Sequence, residues 1–111
     1  MERTIWDEIN ENQGALEQAL RTLKANGIAA AEAERDYRIA KSKAILSLKA
    51  KGYPVTLIPD IVKGLSDVAE LDLKRHIAEV TYRANLEAIN INKKKSDDLR
   101  MIFEKEWSGN K

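Results

Sequence analysis

Gly52, Tyr53, Pro54, Val55, Thr56, Leu57, Ile58, Pro59, Asp60, Ile61, Val62, Lys63 and Gly64 hold both prolines of the chain and two of its five glycines. Proline disfavours helix at the residue before it, so Tyr53 to Ile58 is expected to be extended, and Pro59 then suits the first turn of a new helix. Long stretches without proline flank this segment on both sides. Residues 52–64 therefore read as the hinge of a hairpin between two helical arms. Val55, Leu57 and Ile58 are apolar for such a loop and are expected to cover the end of the bundle or to meet a second molecule.

Upstream of the hinge, Thr4 with Asp7 three places on forms an imperfect capping box, and Asp7, Glu8 and Glu11 put negative charge where a helix dipole favours it. From there Ile5, Ile9, Asn12, Leu16, Ala19, Leu23, Asn26, Ala30, Ala33, Tyr37, Ala40 and Ala44 recur in steps of four and three. That is a heptad seam. Asn26 and Gly27 are also a good helix stop, so two continuations are open: one helix passing through Gly27, or two helices, about 5–25 and 28–51, meeting there. Asn12 and Asn26 on the seam either fix its register as buried polar residues or mark a wet stretch.

Downstream, Ser66 or Asp67 can cap a third helix of about 66–107. Its apolar residues fall on two sides. Leu73, Ile77, Val80, Ala84, Ala88, Ile91, Leu99 and Ile102 form one stripe; Val68, Leu71, Ala78, Tyr82, Leu86 and Ile89 form another. A hairpin supplies a partner for only one of them. The helix is also longer than 28–51 can cover, so a homo-oligomer, most simply a two-fold dimer, is expected. Lys93 to Asp98 interrupt the pattern, Phe103 and Trp107 resume it as a docking end, and Ser108 to Lys111 are expected to be loose. The expected fold is all-α: an antiparallel helical hairpin, one domain over 1–111, completed by oligomerisation. The surface expected to meet a protein partner comprises Val55, Leu57, Ile58, Val68, Leu71, Leu86, Ile89, Phe103 and Trp107.

Composition narrows the chemistry. Nineteen Lys and Arg against 18 Asp and Glu give no general attraction to nucleic acid or to an anionic membrane. The absence of cysteine removes disulfides, thiolate metal sites and thiol nucleophiles. No stretch approaches the ~18 consecutive apolar residues of a membrane span, and the start of the chain has no apolar run of the signal-peptide kind. A cytoplasmic protein is the expectation.

No catalytic constellation emerges. His76, the only histidine, has Asp72 at i−4, yet no second cluster completes a metal site. The glycines are isolated rather than grouped in a phosphate loop, and no base is linked to Ser42, Ser47 or Ser66. Neither an enzyme nor a cofactor is expected. The sharper feature is basic: Arg35, Arg38 and Lys41 flank Tyr37, and a second Tyr-Arg pair stands at Tyr82 and Arg83. Tyrosines stacking on a base beside arginines that hold phosphate would bind an anionic nucleotide or nucleic acid. The opposing reading makes both tyrosines core residues and pairs the arginines with Glu34, Glu79 or Glu87 along their own helices.

Three clusters carry a resemblance: Tyr37, Arg38, Ala40, Ser42, Lys43, Ile45, Leu46, Leu48 and Lys49; Gly52, Pro54, Val55, Thr56, Leu57 and Ile58; and Thr81, Tyr82, Arg83, Ala84, Glu87, Ala88, Ile89 and Asn90. Together, over about residues 33–91, they resemble small α-helical proteins encoded by phages and prophages of Gram-positive bacteria. The resemblance implies an accessory protein made in the cytoplasm of an infected or lysogenic host. Such a protein would act by binding, first as an inhibitor that occupies a component of antiviral defence. The alternatives are a nucleotide or nucleic-acid binder acting through the Tyr-Arg stripes, and a structural or assembly factor of the virion.

Overall fold

The computed structural model describes residues 3–109, and among them every regular element is an α-helix: α1 (Ile5–Ala50), α2 (Ile58–Gly64) and α3 (Ser66–Gly109). The fold is an all-α helical hairpin in which α1 and α3 pack together and α2 closes the turn between them. No helix among the described residues is long and apolar enough to cross a membrane.

α1 begins with the capping box. The Asp7 amide donates to the Thr4 hydroxyl at 3.2 Å, and the Thr4 amide donates back to the Asp7 carboxylate at 3.0 Å. Two of the donors left without a partner at the helix start are thus satisfied. The helix then runs unbroken for 46 residues. Gly27 neither breaks it nor caps it, so the choice left open by Asn26 and Gly27 falls to one continuous helix. Every position of the heptad seam from Ile5 to Ala44 is buried or half-buried. Continuity also removes the length mismatch expected from the sequence, because α3 has 44 residues against 46 in α1.

The C-terminus of α1 is a Schellman motif. Gly52 has φ +84°, its amide donates to the Lys49 carbonyl at 3.0 Å, and the Tyr53 amide donates to the Leu48 carbonyl at 3.2 Å. Only glycine adopts that φ without strain, which is why the helix stops here. The hinge departs from expectation after Pro54. Val55 to Leu57 form a turn, closed by the Leu57 amide on the Pro54 carbonyl at 3.0 Å, and Ile58 already belongs to α2 despite preceding Pro59. The expected extended run is overruled by burial: Ile58 and Val62 sit one turn apart on α2 and are 3% and 1% exposed. α3 starts at Ser66, one residue earlier than a Ser66 cap requires, with the Leu65 carbonyl accepting from the Ala69 amide at 2.8 Å.

The chain divides into two compact units. One comprises Ala25–Tyr82. Its core is Leu48, Ile58, Val62 and Val68, with Tyr37, Ala40, Ala44, Ile45 and Ile61 packed against it. Gly27 belongs here too, and a β-carbon on it would stand 3.3 Å from Tyr82 Cε1.

The other unit joins the residues up to Lys24 with those from Arg83 onward. It buries Ala19, Ile89 and Leu99 together with two asparagines, Asn12 and Asn85. Asn85 donates to the Ala19 carbonyl at 2.8 Å and accepts from the Thr22 hydroxyl at 3.3 Å. Asn12 donates to the Asn92 carbonyl at 2.9 Å, while its Oδ1 is buried without a hydrogen-bond partner. Leu99, grouped by spacing with Leu73, Ile77 and Val80, lies instead on the buried side with Ile89. Trp6 and Phe103 meet edge to face, 5.2 Å between ring centroids. Lys93 to Asp98 remain helical rather than frayed, and α3 continues through Gly109. Of the expected loose tail, Asn110 and Lys111 lie outside the described residues.

Candidate binding surfaces

Along α3 a seam of buried or half-buried positions runs through Val68, Leu71, Arg75, Ala78 and Tyr82 in the first unit and Asn85, Ile89, Asn92, Ser96, Leu99 and Phe103 in the second. The steps are three and four throughout. This seam faces α1, so the stripe on the opposite side of α3 is left outside. Leu73, Ile77 and Val80 are 57%, 57% and 52% exposed, three large apolar side chains on successive turns. Single exposed apolar residues need no explanation, whereas a contiguous row marks a surface used for contact.

The residues expected to meet a partner protein therefore separate. Ile58, Val68 and Ile89 are buried inside the hairpin and are unavailable to another molecule. For Val68 and Ile89 the reason is that periodicity shows two stripes without saying which one the hairpin consumes; Ile58 is drawn inward as part of α2. Leu71 is half-buried on the same inward seam, and Phe103 is half-buried against Trp6. Val55, Leu57, Leu86 and Trp107 remain on the surface, Val55 the most open of them at 71%. Val55 and Leu57 do not cover the bundle end; Ile58 and Val62 do.

The basic stripe dissolves in a similar way. Arg35 pairs with the adjacent Asp36 at 3.1 Å, and Arg38 bonds Glu34 at 2.8 Å, one turn back. The Arg38 guanidinium, with Arg75 beyond it, holds the Glu34 carboxyl below the usual carboxylate range. Tyr37 and Tyr82 both sit on inward seams, Tyr82 over Gly27. Arg83 also has a partner within the chain. Both tyrosines are thus half-buried, and the arginines beside them have partners within the chain.

What does gather around Tyr37 includes a residue that the sequence reading passed over. Arg75 lies on the seam of α3 with its guanidinium 4.6 Å from the Tyr37 ring centroid. It bonds Asp72 at 2.6 Å and reaches Glu34 on α1 at 3.5 Å. The hydrogen bond it donates to Asp72 is the main cause that raises its already high pKa further. A charged residue at a seam position, between Leu71 and Ala78, was the available signal. Beside this network α1, α2 and α3 enclose a cavity of about 290 Å³, lined by Tyr37, Lys41, Ile45, Pro59, Val62, Lys63, Val68, Ala69 and Asp72. A larger depression of about 560 Å³ near Met101, Ile102 and Lys105 is only the open flank of a single helix.

Among the described residues no group of three or more His, Cys, Asp or Glu side chains could hold a metal ion. Comparisons of the chain with protein-family models, with curated proteins and with solved structures give no match.

Proposed function

We propose that this chain is a binding protein without enzymatic activity, a phage or prophage accessory protein that occupies a host protein, foremost a component of antiviral defence. The observation that carries the reading is the outward row Leu73, Ile77 and Val80, an apolar face on the side of α3 turned away from α1. A helix whose inward seam is already satisfied gains nothing for its own folding from a second apolar stripe. Apolar anchors at i, i+4 and i+7 are the pattern by which one helix face docks against a groove or another helix. The resemblance over residues 33–91 supplies the biological setting.

Self-association belongs to the same reading, since a face of this kind is able to pair with its own copy about a two-fold axis. The length of α3 no longer argues for it; the outer face does. The test is restoration of plaques by a phage that a defended host restricts. The wild-type chain is expected to restore plating, and Ile77→Glu to abolish the effect while keeping the helical circular-dichroism spectrum. Equal plating with and without the chain, across the defence systems tried, would refute the anti-defence role.

A further inference from the structure

We propose that the cavity between α1, α2 and α3 is a binding site for a small organic anion, one carboxylate or phosphate monoester group on a flat apolar body. In this cavity apolar walls and lysine side chains from two different helices come together. Val62 and Val68, 1% and 5% exposed, form its floor, with Ile45 and the Tyr37 ring beside them. Lys41 and Lys63 line it from α1 and α2, and neither makes an ion pair among the described residues. Lys41 holds its ammonium 5.8 Å from the centroid of the Tyr37 ring.

The remaining charge in the wall does not cancel the lysines. Asp72 is the only carboxylate in the lining, and Arg75 already claims it at 2.6 Å. With Glu34 also taken by Arg75 and Arg38, the two lysines line a largely apolar hollow whose carboxylate is already paired. Ligand sites typically combine such walls with a few placed polar groups and measure ~300–1,000 Å³. At about 290 Å³ this one admits a single ring with its anionic group and excludes a polymer. The site is separate from the outer row of α3, so it stands or falls independently of the proposed partner.

Methyl and aromatic NMR of the full chain, titrated with phenyl phosphate, benzoate and neutral benzyl alcohol, tests the assignment. Saturable shifts of the Ile45, Val62 and Val68 methyl groups are expected with one or both anions. Lys41→Gln and Lys63→Gln, both exposed and harmless to packing, should each weaken binding about tenfold, the scale of one charge-assisted hydrogen bond. Ala69→Leu, which fills the hollow, should remove it. The tighter of the two anions identifies the group as phosphate or carboxylate. Absence of saturable shifts up to about 10 mM of either anion, unchanged affinity in both lysine variants, or benzyl alcohol binding as tightly as the anions would each overturn the proposal.

Discussion

Gly27 lies against the ring of Tyr82, so close that a β-carbon at residue 27 would stand 3.3 Å from Tyr82 Cε1. This contact gives the glycine in the middle of α1 a packing reason. A β-carbon would have to push the ring aside by a few tenths of an ångström. Gly14, also interior to α1, has nothing within 4 Å of the same construction.

The two glycines should therefore respond differently to alanine. Gly14→Ala is expected to stabilise by about 1 kcal/mol, the helix-propensity difference in an exposed interior. Gly27→Ala should gain clearly less, because displacing the Tyr82 ring offsets it, and should recover the gain in a Tyr82→Leu background that lacks Cε1. Urea unfolding of the wild type, the three single variants and the Gly27→Ala/Tyr82→Leu double variant measures both effects. Equal gains at residues 14 and 27 would show that the ring contact carries no energy.

The buried asparagines should diverge as well. Asn12 has an Oδ1 with no partner, whereas both ends of the Asn85 amide are engaged. An unsatisfied buried acceptor costs about 1–3 kcal/mol. Asn12→Leu should accordingly raise the unfolding free energy by an amount of that order, and Asn85→Ala should lower it by about 1–3 kcal/mol. Polar seam residues commonly fix register at a cost in stability. Cysteine pairs placed across the α1–α3 seam are then expected to cross-link in more than one register in the Asn12→Leu chain and in a single register in the wild type.

Arg75 couples three groups on two helices. Arg75→Met keeps the stem but loses the bonds to Asp72 and Glu34 and the contact with Tyr37. A double-mutant cycle with Tyr37→Leu should return a coupling of about 0.5–2 kcal/mol, the range for a partly desolvated cation over an aromatic ring. Zero coupling would reduce the contact to simple proximity.

Acid should weaken the fold in a particular window. The Thr4 amide and hydroxyl hold the Asp7 carboxyl below its ordinary range, and the Arg38 guanidinium does the same for Glu34. A carboxyl depressed in the folded state stabilises above its unfolded pKa and loses that contribution as pH falls through the folded value. Thermal melts should be flat from pH 7 to about 5 and fall below about pH 4.5, where unfolded carboxylates titrate. Asp7→Asn with Glu34→Gln should make the acid limb shallower. Asp7 is exposed and Glu34 only half-buried, so the change will be small.

Much of this was legible in the residues. The heptad seam of α1, the hinge and the capping box follow from spacing and side-chain chemistry alone. Gly27 was ambiguous because the same dipeptide serves as a stop or as a close approach, and only Tyr82, 55 positions on, decides which. The two stripes of α3 were visible, but which one faced α1 was not: the buried seam carries Arg75, Asn85 and Asn92, and the exposed one looks the more apolar. The basic stripe was visible too, but not that Asp36 would pair with Arg35 and Glu34 with Arg38. The cavity needed α2, whose helical start at Ile58 runs against the proline rule.

The central claim is that the outer row of α3 meets another protein. Its most direct test is a photo-cross-linking amino acid placed at Ile77, and for comparison at exposed Glu32 on α1, in infected cells producing the chain. Covalent adducts of defined mass are expected from residue 77 and not from residue 32, and they should disappear when Leu73 and Val80 are changed to serine. No adduct from residue 77, or the same adducts from both positions, would contradict the account.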